Sequence, residues 1–343
     1  MYSVAIAGAS GYSGAELIRL IHEHPNFELV TIAAGTSAGK TLSEVHPQFS
    51  AIAHLANLKF LETTPELLGN ADLIFCALPH GESAELISQL PQSAKVIDLG
   101  ADFRLTDAQK WAQYYNGNHA GTFTYGLPEL AIDKSLIASS SRIANPGCYA
   151  TAIQLSVAPL IRDGLIDATD LVVVAASGTS GAGRNAKVNL LASEVMGSMT
   201  TYKVGGAHQH IPEIEQELQR FTNAKVLVNF TPMLAPMPRG ILATTSAKST
   251  ASLSQLRTAI EHIYADCPFV TLLPEGQQPT TAATLGSNSA HIQVTKDEHT
   301  GRVTVICAID NLGKGAAGQA VQNANLIFGL PETAGLSRIG IAP

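Results

Sequence analysis

The chain has 343 residues, of which 45% are hydrophobic and 14% are charged, and its formal net charge is −7. This length suits two domains of ordinary size, and the apolar fraction excludes a largely disordered chain. The acidic balance offers no basic surface for nucleic acid or a membrane, and no apolar run reaches the about 18 residues of a membrane helix.

The first part of the chain alternates strand patterns with helix patterns. Near-continuous apolar runs at 3–7, 27–33, 71–78 and 94–100 are typical of parallel strands buried on both faces. A helical pattern at 14–24 follows the first of them, and helical stretches lie between the others. This order predicts an α/β fold with an N-terminal, Rossmann-type doubly wound sheet.

The pattern changes near residue 145, where a turn and a helix over about 148–162 are expected before the β-branched run DLVVVAAS. Several later strands follow one another without a long helix, which indicates a mixed or antiparallel sheet. We expect them at 225–232, 239–247, 269–273, 289–295 and 302–309.

The last segment, a glycine turn followed by a helix, is expected to close back onto the first domain. The predicted dinucleotide domain is therefore discontinuous and consists of 1–147 and 311–343. The second domain is predicted to span 148–310.

A G-x-x-G-x-x-G pattern lies between the first strand and the first helix. Glycines there permit a tight turn and let the backbone approach a pyrophosphate at the helix N-terminus. We expect this turn to bind a dinucleotide, with a plain strand-to-helix turn as the alternative. The candidate cofactor-binding residues of the turn are Gly8, Ser10, Gly11, Tyr12, Ser13 and Gly14.

The segment 33–40, after the second strand, lacks the acidic residue that an NAD enzyme usually places on the ribose 2′-hydroxyl. It offers instead Thr36, Ser37 and Lys40, which suit a 2′-phosphate. The segment therefore favours NADP, and an ordinary polar loop is the alternative.

The four cysteines are far apart and none has C-x-x-C spacing, so neither a zinc site nor a disulfide framework is indicated. With no secretory signal pattern at the N-terminus, we expect a cytoplasmic protein. Cys148 alone follows a Pro-Gly turn and begins a helix, where the helix dipole stabilises a thiolate. A thiolate beside a dinucleotide predicts attack on an activated carbonyl followed by hydride transfer. A buried structural role is the alternative, and it suits Cys76 and Cys307.

Two histidines, His208 and His210, are candidates for the acid or base that this chemistry needs. They share one face if the segment is a strand, but not if it is a helix. A structural role and a metal pair remain alternatives, although no further ligands with metal spacing accompany them.

These residues lie in segments that resemble the N-acetyl-γ-glutamyl-phosphate reductases, the arginine-biosynthesis branch of the semialdehyde dehydrogenase superfamily. The segments span nearly the whole chain, and NPGCYAT together with the H-x-H-x-P-E-I pattern is specific. The matching segments are GASGYSGAELIRL (8–20), DLGADFRL (98–105), YGLPEL (125–130), NPGCYAT (145–151), SGTSGAGR (177–184), GGAHQHIPEI (205–214), MPRGILAT (237–244) and DNLGKGAAGQAVQN (310–323).

The resemblance implies NADPH-dependent reduction of N-acetyl-γ-glutamyl phosphate to the 5-semialdehyde through a thioester on Cys148. It implies that one of the two histidines is the acid/base, with His210 favoured over His208. It also implies that the second domain carries catalysis and the contacts of a dimer or tetramer. Gln209 stands where many relatives have arginine, and if that arginine touches the substrate phosphate or carboxylate, the resemblance does not extend to substrate affinity.

Arginines are suited to bind the anionic groups of such a small-molecule substrate. Arg104 and Arg184 are the first candidates, and Lys187 and Arg239 are weaker ones. A structural salt bridge is the alternative for each arginine. The loop SGTSGAGR can cradle a phosphate with backbone N–H groups and hydroxyls. The candidate substrate-binding residues are Arg104, Asn145, Ser177, Gly178 and Arg184, and Gly181 and Asn311 are added to the cofactor set.

Three rival functions remain open. The first is a related acyl-phosphate reductase, such as an aspartate-semialdehyde dehydrogenase, and the second is a non-catalytic NADP-binding regulator. A glyceraldehyde-phosphate-dehydrogenase-like enzyme is the third, although it usually carries an acid after the second strand.

Overall fold

The computed structural model describes residues 1–115 and 117–342, and it divides the chain into two compact units. The first unit comprises Met1–Pro146 and Ala316–Leu336, and the second comprises Gly147–Gly315 with the segment from Ser337 onward. Asn116 and Pro343, which belong to the predicted dinucleotide domain, lie outside the described residues.

The unit boundaries differ from the predicted ones, because Gly147, residues 311–315 and the tail from Ser337 belong to the second unit. Backbone hydrogen bonds explain the difference. The N–H of Gly315 donates to Asp310 O at 2.9 Å, and the tail pairs with the second unit through Asn288 N–H to Ser337 O at 2.9 Å and Ile341 N–H to Leu285 O at 2.8 Å. Such main-chain pairing leaves no trace in hydrophobic periodicity.

The first unit contains a six-stranded, fully parallel sheet in the order β2-β1-β3-β4-β6-β5. Its strands are β1 (Tyr2–Ala7), β2 (Phe27–Ala33), β3 (Leu73–Cys76), β4 (Lys95–Asp98), β5 (Thr124–Tyr125) and β6 (Arg142–Ala144).

Helices flank both faces of this sheet, as the near-continuous apolar strands predict. They are α1 (Tyr12–His22), α2 (Leu42–Val45), α3 (Ala53–Ala56), α4 (Pro65–Leu68), α5 (Ser83–Ser88), α6 (Ala108–Tyr114) and α7 (Lys134–Ala138). Alternate residues of β1 serve opposite layers: Val4 and Ile6 join the core that includes α1, whereas Ala5 and Ala7 join the core that includes α5.

The second unit contains a seven-stranded mixed sheet in the order β11-β12-β13-β10-β7-β9-β8. The strands are β7 (Leu171–Ser177), β8 (Thr200–Thr201), β9 (Val228–Leu234), β10 (Ile241–Lys248), β11 (Val270–Leu272), β12 (Ala290–Asp297) and β13 (Arg302–Ile309). The helices of this unit are α8 (Cys148–Arg162), α9 (Ala192–Val195), α10 (His210–Leu218), α11 (Leu253–Tyr264) and α12 (Thr281–Thr284).

One face of this sheet is covered and the other is open. Helix α8, buried from Tyr149 to Ile161, packs on β10, β13, α10 and α11. Along β7, Leu171, Val173 and Ala175 are buried toward that layer, whereas Val172 and Val174 are exposed on the other face.

A π-helical turn (Gly313–Ala317) precedes α13 (Gly318–Ile327), and α13 packs in the core of the first unit against α1. Among the described residues, no helix is both long and apolar enough to cross a membrane.

The predicted α/β class, the parallel first sheet and the mixed second sheet are confirmed. The helix predicted over 148–162 has these bounds in the structure. The short strands β5, β6 and β8 were not predicted, because two or three residues cannot show periodicity.

Candidate functional site

The glycine turn of the first unit needs glycine at two of its three positions. Gly8 has φ +77°, and a Cβ there would lie 2.3 Å from Ala77 O; a Cβ on Gly14 would lie 2.6 Å from Ala9 Cα. Gly11 is different, because its Cβ would meet only Gly8 O at 3.5 Å, an ordinary contact. The protein's own packing therefore does not require Gly11, whereas a ligand backed closely against the turn would.

Helix α1 begins in this turn without a side-chain cap and without an acidic residue in its first turn. Its first N–H groups have no acceptor within the helix, so they favour an anion. Ser10 and Ser13 are partly exposed beside them, and Tyr12 is 40% exposed. This end of the first unit suits a pyrophosphate.

The segment after β2 forms a single 3-10 turn, Gly35–Ser37, in which Thr36 is exposed and Ser37 buried. Lys40 is exposed three residues later. The next acid along the chain, Glu44, accepts the Thr41 N–H at 2.6 Å as part of the capping box of α2. The turn thus offers a hydroxyl and an ammonium group where an NAD site usually offers a carboxylate.

Two predicted substrate residues, Arg104 and Asn145, lie buried in the first unit and bond to its backbone. Arg104 Nε donates to Asn145 O at 2.8 Å and its Nη2 donates to Leu99 O at 2.8 Å. Asn145 Nδ2 donates to Ala316 O at 3.1 Å, and Asn323 Nδ2 donates to Asn145 Oδ1 at 3.1 Å. These bonds fix the chain just before the cysteine turn, and they give both residues a structural task.

Cys148 is the first residue of α8, and it is partly buried. The preceding Gly147 takes the N-cap position with no side-chain cap. The first N–H groups of α8 therefore have no acceptor within the helix. The Gly147 N–H itself donates to the Glu213 carboxylate at 2.8 Å. A Cβ on Gly315 would lie 2.8 Å from Cys148 Cβ, so only glycine fits there.

Both histidines lie in the second unit and close to Cys148's neighbour Tyr149. The ring centroids of His208 and His210 are 4.9 Å apart, and they lie 5.4 and 6.1 Å from that of Tyr149. His208 Nδ1 accepts the backbone N–H of His210 at 3.1 Å, which requires that nitrogen to be unprotonated. His210 begins α10, and its ring is not held by this bond.

A chain of two tyrosine hydroxyls runs beside the thiol. Tyr202 Oη donates to Tyr149 Oη at 3.1 Å, and Tyr149 Oη donates to Met233 O at 3.1 Å. Burial, together with the neighbouring Cys148, raises the pKa of Tyr202 to about 12, and burial also raises the pKa of Tyr149. Both hydroxyls therefore stay neutral near the sulfur at physiological pH.

The loop after β7 folds on itself rather than forming a backbone cradle. Gly178 N–H donates to Gly240 O at 2.8 Å, and Gly181 N–H donates to Gly178 O at 3.1 Å. Asn311 joins the loop to the next one, since its Oδ1 accepts Gly240 N–H at 2.8 Å and its Nδ2 donates to Ser180 Oγ at 2.9 Å. The expectation of a phosphate cradle made by these N–H groups is therefore wrong.

The other predicted residues of this loop have distinct surroundings. Ser177 is buried, and Gly181 is exposed but could not carry a Cβ without meeting Ser177 Oγ at 2.9 Å. Arg184 is exposed. The structure places Asn311 in the second unit, although it was predicted as a cofactor ligand in the dinucleotide domain.

The remaining cysteines contrast with Cys148. Cys76 and Cys307 are fully buried in β3 and β13, and burial raises the pKa of both thiols, that of Cys307 to about 12. Cys267 is partly buried, and its sulfur lies 3.9 Å from Ile263 O. No group of three or more potential metal ligands occurs within the described part of the chain.

Sequence reasoning missed Tyr202 and Glu213, which contact Tyr149 and Gly147. Glu213 carries one signal, because it lies three residues after His210 on α10. Tyr202 is far from Cys148 along the chain, and nothing in its local pattern indicates the contact.

Both units of the chain resemble known proteins. Residues 3–138 match the family model described as semialdehyde dehydrogenase, NAD binding domain, and residues 148–311 match the one described as semialdehyde dehydrogenase, dimerisation domain. The N-acetyl-gamma-glutamyl-phosphate reductase of Acidothermus cellulolyticus is 57% identical over 342 residues, covering 99% of both chains. The reductases of the same name from Salinispora tropica and Thermobifida fusca are 56% and 53% identical, over 99% and 100% of this chain and 99% of each relative.

Solved structures share the fold at low identity. Aspartate semialdehyde dehydrogenase II from Vibrio cholerae, complexed with ASA, has a TM-score of 0.69 at 19% identity and covers 96% of this chain and 98% of its own. The enzyme from Candida albicans, solved with NADP, has a TM-score of 0.69 at 15% identity with the same coverage.

Proposed function

Since the chain belongs to the N-acetyl-gamma-glutamyl-phosphate reductase family of the semialdehyde dehydrogenases, an enzyme family, we propose that it reduces N-acetyl-gamma-glutamyl phosphate with NADPH. The products are N-acetylglutamate 5-semialdehyde and phosphate, in arginine biosynthesis and in the cytoplasm. The observation that carries this proposal is the partly buried Cys148 at the uncapped start of α8, with two histidine rings beside its neighbour Tyr149.

The cysteine performs the first step. Its thiolate, stabilised by the N-terminus of α8, attacks the acyl carbon, so that a C–S bond forms and the C–O bond to phosphate breaks. The N–H groups of the first turn of α8 have no acceptor within the helix, and they are suited to the negative charge that develops on the carbonyl oxygen. The product of this step is a thioester on Cys148.

The hydride that reduces the thioester carbon would come from a nicotinamide dinucleotide held at the glycine turn of the first unit. His210 donates a proton to the resulting oxyanion, and takes it back as the C=O bond forms again and the C–S bond breaks. We assign this task to His210 because His208 Nδ1 is already used by the His210 N–H at 3.1 Å. His208 then acts as a positioning residue for the start of α10.

The first unit fits the dinucleotide at the turn where Gly11 has room that the protein's own atoms do not fill. Gly8, Gly11 and Gly14 would bring the backbone to the pyrophosphate, with Ser10, Tyr12 and Ser13 around it. Thr36, Ser37 and Lys40 support NADP over NAD, since the 3-10 turn after β2 provides no carboxylate.

The activity is best tested in the reverse direction, because the acyl phosphate is unstable. N-acetylglutamate semialdehyde, NADP and phosphate are mixed, and NADPH formation is followed for wild type and Cys148→Ala. The matched control is Cys267→Ala, which removes another partly buried thiol of the same unit. The expected result is phosphate-dependent NADPH formation that only Cys148→Ala abolishes.

Two other outcomes would replace the proposal. Turnover of aspartate semialdehyde alone would keep the mechanism and change the substrate. NADP binding without turnover of either semialdehyde would indicate a regulator.

We also propose that the chain forms a homo-oligomer through the open face of the second sheet. Val172 and Val174 are 39% and 43% exposed on β7, although both are apolar residues of a central strand. Val174→Arg is expected to shift the protein to a monomer in light scattering, whereas a wild-type monomer would contradict the proposal.

A further inference from the structure

His46 is a buried histidine of the first unit that bonds directly to the glycine turn. It follows the last residue of α2 and is 4% exposed. Its Nε2 lies 3.1 Å from Ala9 O, and since a carbonyl oxygen can only accept, Nε2 carries the proton and donates. Ala9 lies between Gly8 and Ser10 in the turn. One side chain thus reaches back 37 residues to the main chain of the turn.

The ring of His46 is placed by packing in the core. Its backbone N–H donates to Leu42 O at 2.7 Å, which fixes the end of α2. The ring centroid lies 6.3 Å from that of Phe49 and 6.2 Å from that of Phe60. Both phenylalanines belong to the same buried cluster as Ala9. The donor is therefore held in one position behind the turn.

Ala9 is held by two other contacts, which fix its nitrogen and Cα. Its N–H donates to Ala33 O at 3.0 Å, and a Cβ on Gly14 would lie only 2.6 Å from Ala9 Cα. The plane of the next peptide can still rotate about the bond between Cα and C. The hydrogen bond from His46 to Ala9 O fixes this rotation.

The orientation of this peptide decides the shape of the rest of the turn. In a planar trans peptide the C=O and the following N–H point in opposite directions, so the Ser10 N–H points away from His46 and the core behind it. The same plane sets the direction in which the chain continues through Ser10 and Gly11 to the uncapped start of α1. The groups suited to a pyrophosphate therefore depend on the bond to Ala9 O.

We propose that His46 is a positioning residue that holds the glycine turn in the shape that binds the pyrophosphate of a nicotinamide dinucleotide. This inference rests on the proposed function and deepens its cofactor site. His46 governs the affinity for the dinucleotide and not the chemical step. Because NADPH and NADH share the pyrophosphate, its loss weakens both, whereas the exposed Lys40 concerns the 2′-phosphate alone.

Isothermal titration calorimetry of the full chain with NADPH, NADH and 2′-AMP tests the proposal without any turnover. His46→Phe keeps a ring in the core but has no donor. We expect its Kd values for NADPH and NADH each to rise about 10-fold, the effect of losing one hydrogen bond to a charged group. The Kd for 2′-AMP, which has no pyrophosphate, should be unchanged. His46→Gln should restore binding, because its amide can donate to Ala9 O.

A matched control separates positioning from a general loss of stability. His24 is 3% exposed in the same unit, and its Nε2 lies 3.0 Å from Asn325 Oδ1, beyond the far end of α1 from the turn. His24→Phe should leave all three Kd values unchanged, even where urea unfolding shows that it loses as much stability as His46→Phe. In steady-state kinetics His46→Phe should raise the KM for NADP and leave kcat unchanged. If His46→Phe does not fold, His46→Met removes the donor with a flexible side chain.

Three results would overturn the inference. Wild-type Kd values for NADPH and NADH in His46→Phe would make the bond to Ala9 O purely structural. An equal loss of affinity in His24→Phe would give the effect to stability, and a rise for NADPH alone would assign His46 to the segment that carries Lys40. If wild type binds NADPH without turning over the semialdehyde, the proposed function fails, and weaker binding by His46→Phe still supports the inference.

Discussion

Asp98 is a buried carboxyl whose ionisation should weaken the first unit as pH rises. It lies at the end of β4 with no exposed surface, and burial raises its pKa from 3.8 to about 7. Asp102 adds to the shift, whereas Gly100 N–H and the Ser83 hydroxyl, at 2.9 and 3.0 Å, oppose it. The carboxyl is therefore protonated in the folded chain under conditions that ionise it in the unfolded chain.

The sign follows from this difference. The folded state keeps the proton of Asp98 to higher pH than the unfolded state does. The stabilisation that this proton gives is therefore complete below about pH 4 and is lost as the pH rises through about 7. The difference between a pKa of 3.8 in the unfolded chain and about 7 in the folded chain corresponds to about 4 kcal/mol in total, of which about 2.5 kcal/mol falls between pH 5 and pH 8. Asn at this position keeps the shape and an acceptor for Gly100 N–H but does not ionise.

Urea unfolding at pH 5 and pH 8 measures the effect, and Trp111 is a suitable probe. It is the single tryptophan of the sequence, it is 2% exposed, and it belongs to the same unit as Asp98. We expect the free energy of unfolding of Asp98→Asn, relative to that of wild type, to rise by about 2.5 kcal/mol from pH 5 to pH 8.

The control is Asp72→Asn, because hydrogen bonds from Ser3 lower the pKa of Asp72 and keep it ionised at both pH values. Its difference from wild type should therefore be independent of pH. The reasoning is refuted if the difference between Asp98→Asn and wild type is also the same at pH 5 and pH 8.

Three further predictions concern the two units. Gly315→Ala should lower kcat about 10-fold or more and leave the affinity for NADP unchanged, because the new Cβ would lie 2.8 Å from Cys148 Cβ. A variant with the kcat of wild type would contradict this contact. Iodoacetamide should label Cys148 but not Cys76 or Cys307, whose thiols are fully buried, and peptide mass mapping reads the sites. Lys40→Ala should raise the KM for NADP about 5-fold and leave the KM for NAD unchanged in steady-state kinetics. Equal changes in the two KM values would exclude a contact between Lys40 and the 2′-phosphate.

The parts of the fold that repeat along the chain could be predicted from sequence. The glycines of the first turn, the continuous apolar strands and the helix from Cys148 are local patterns, and each reflects backbone sterics or burial on one or two faces. Contacts between distant segments could not be predicted in this way. Arg239 meets Asp310 71 residues later, and Gly147 meets Glu213 66 residues later, although neither pair belongs to a local repeat.

The two histidines illustrate why the site needs more than its motif. Two residues apart, they are equivalent on a strand, and the sequence gives no reason to separate them. In the structure a helix begins between them, so that the first lies before α10 and the second occupies its first position. A side chain just before a helix can accept one of the N–H groups that the first turn leaves unshared, and His208 Nδ1 does so with His210. Protonating His208 at that nitrogen would break this bond, whereas His210 carries no such constraint from the helix start. The division of roles therefore depends on where one helix begins, a boundary that sequence patterns locate only to within a few residues.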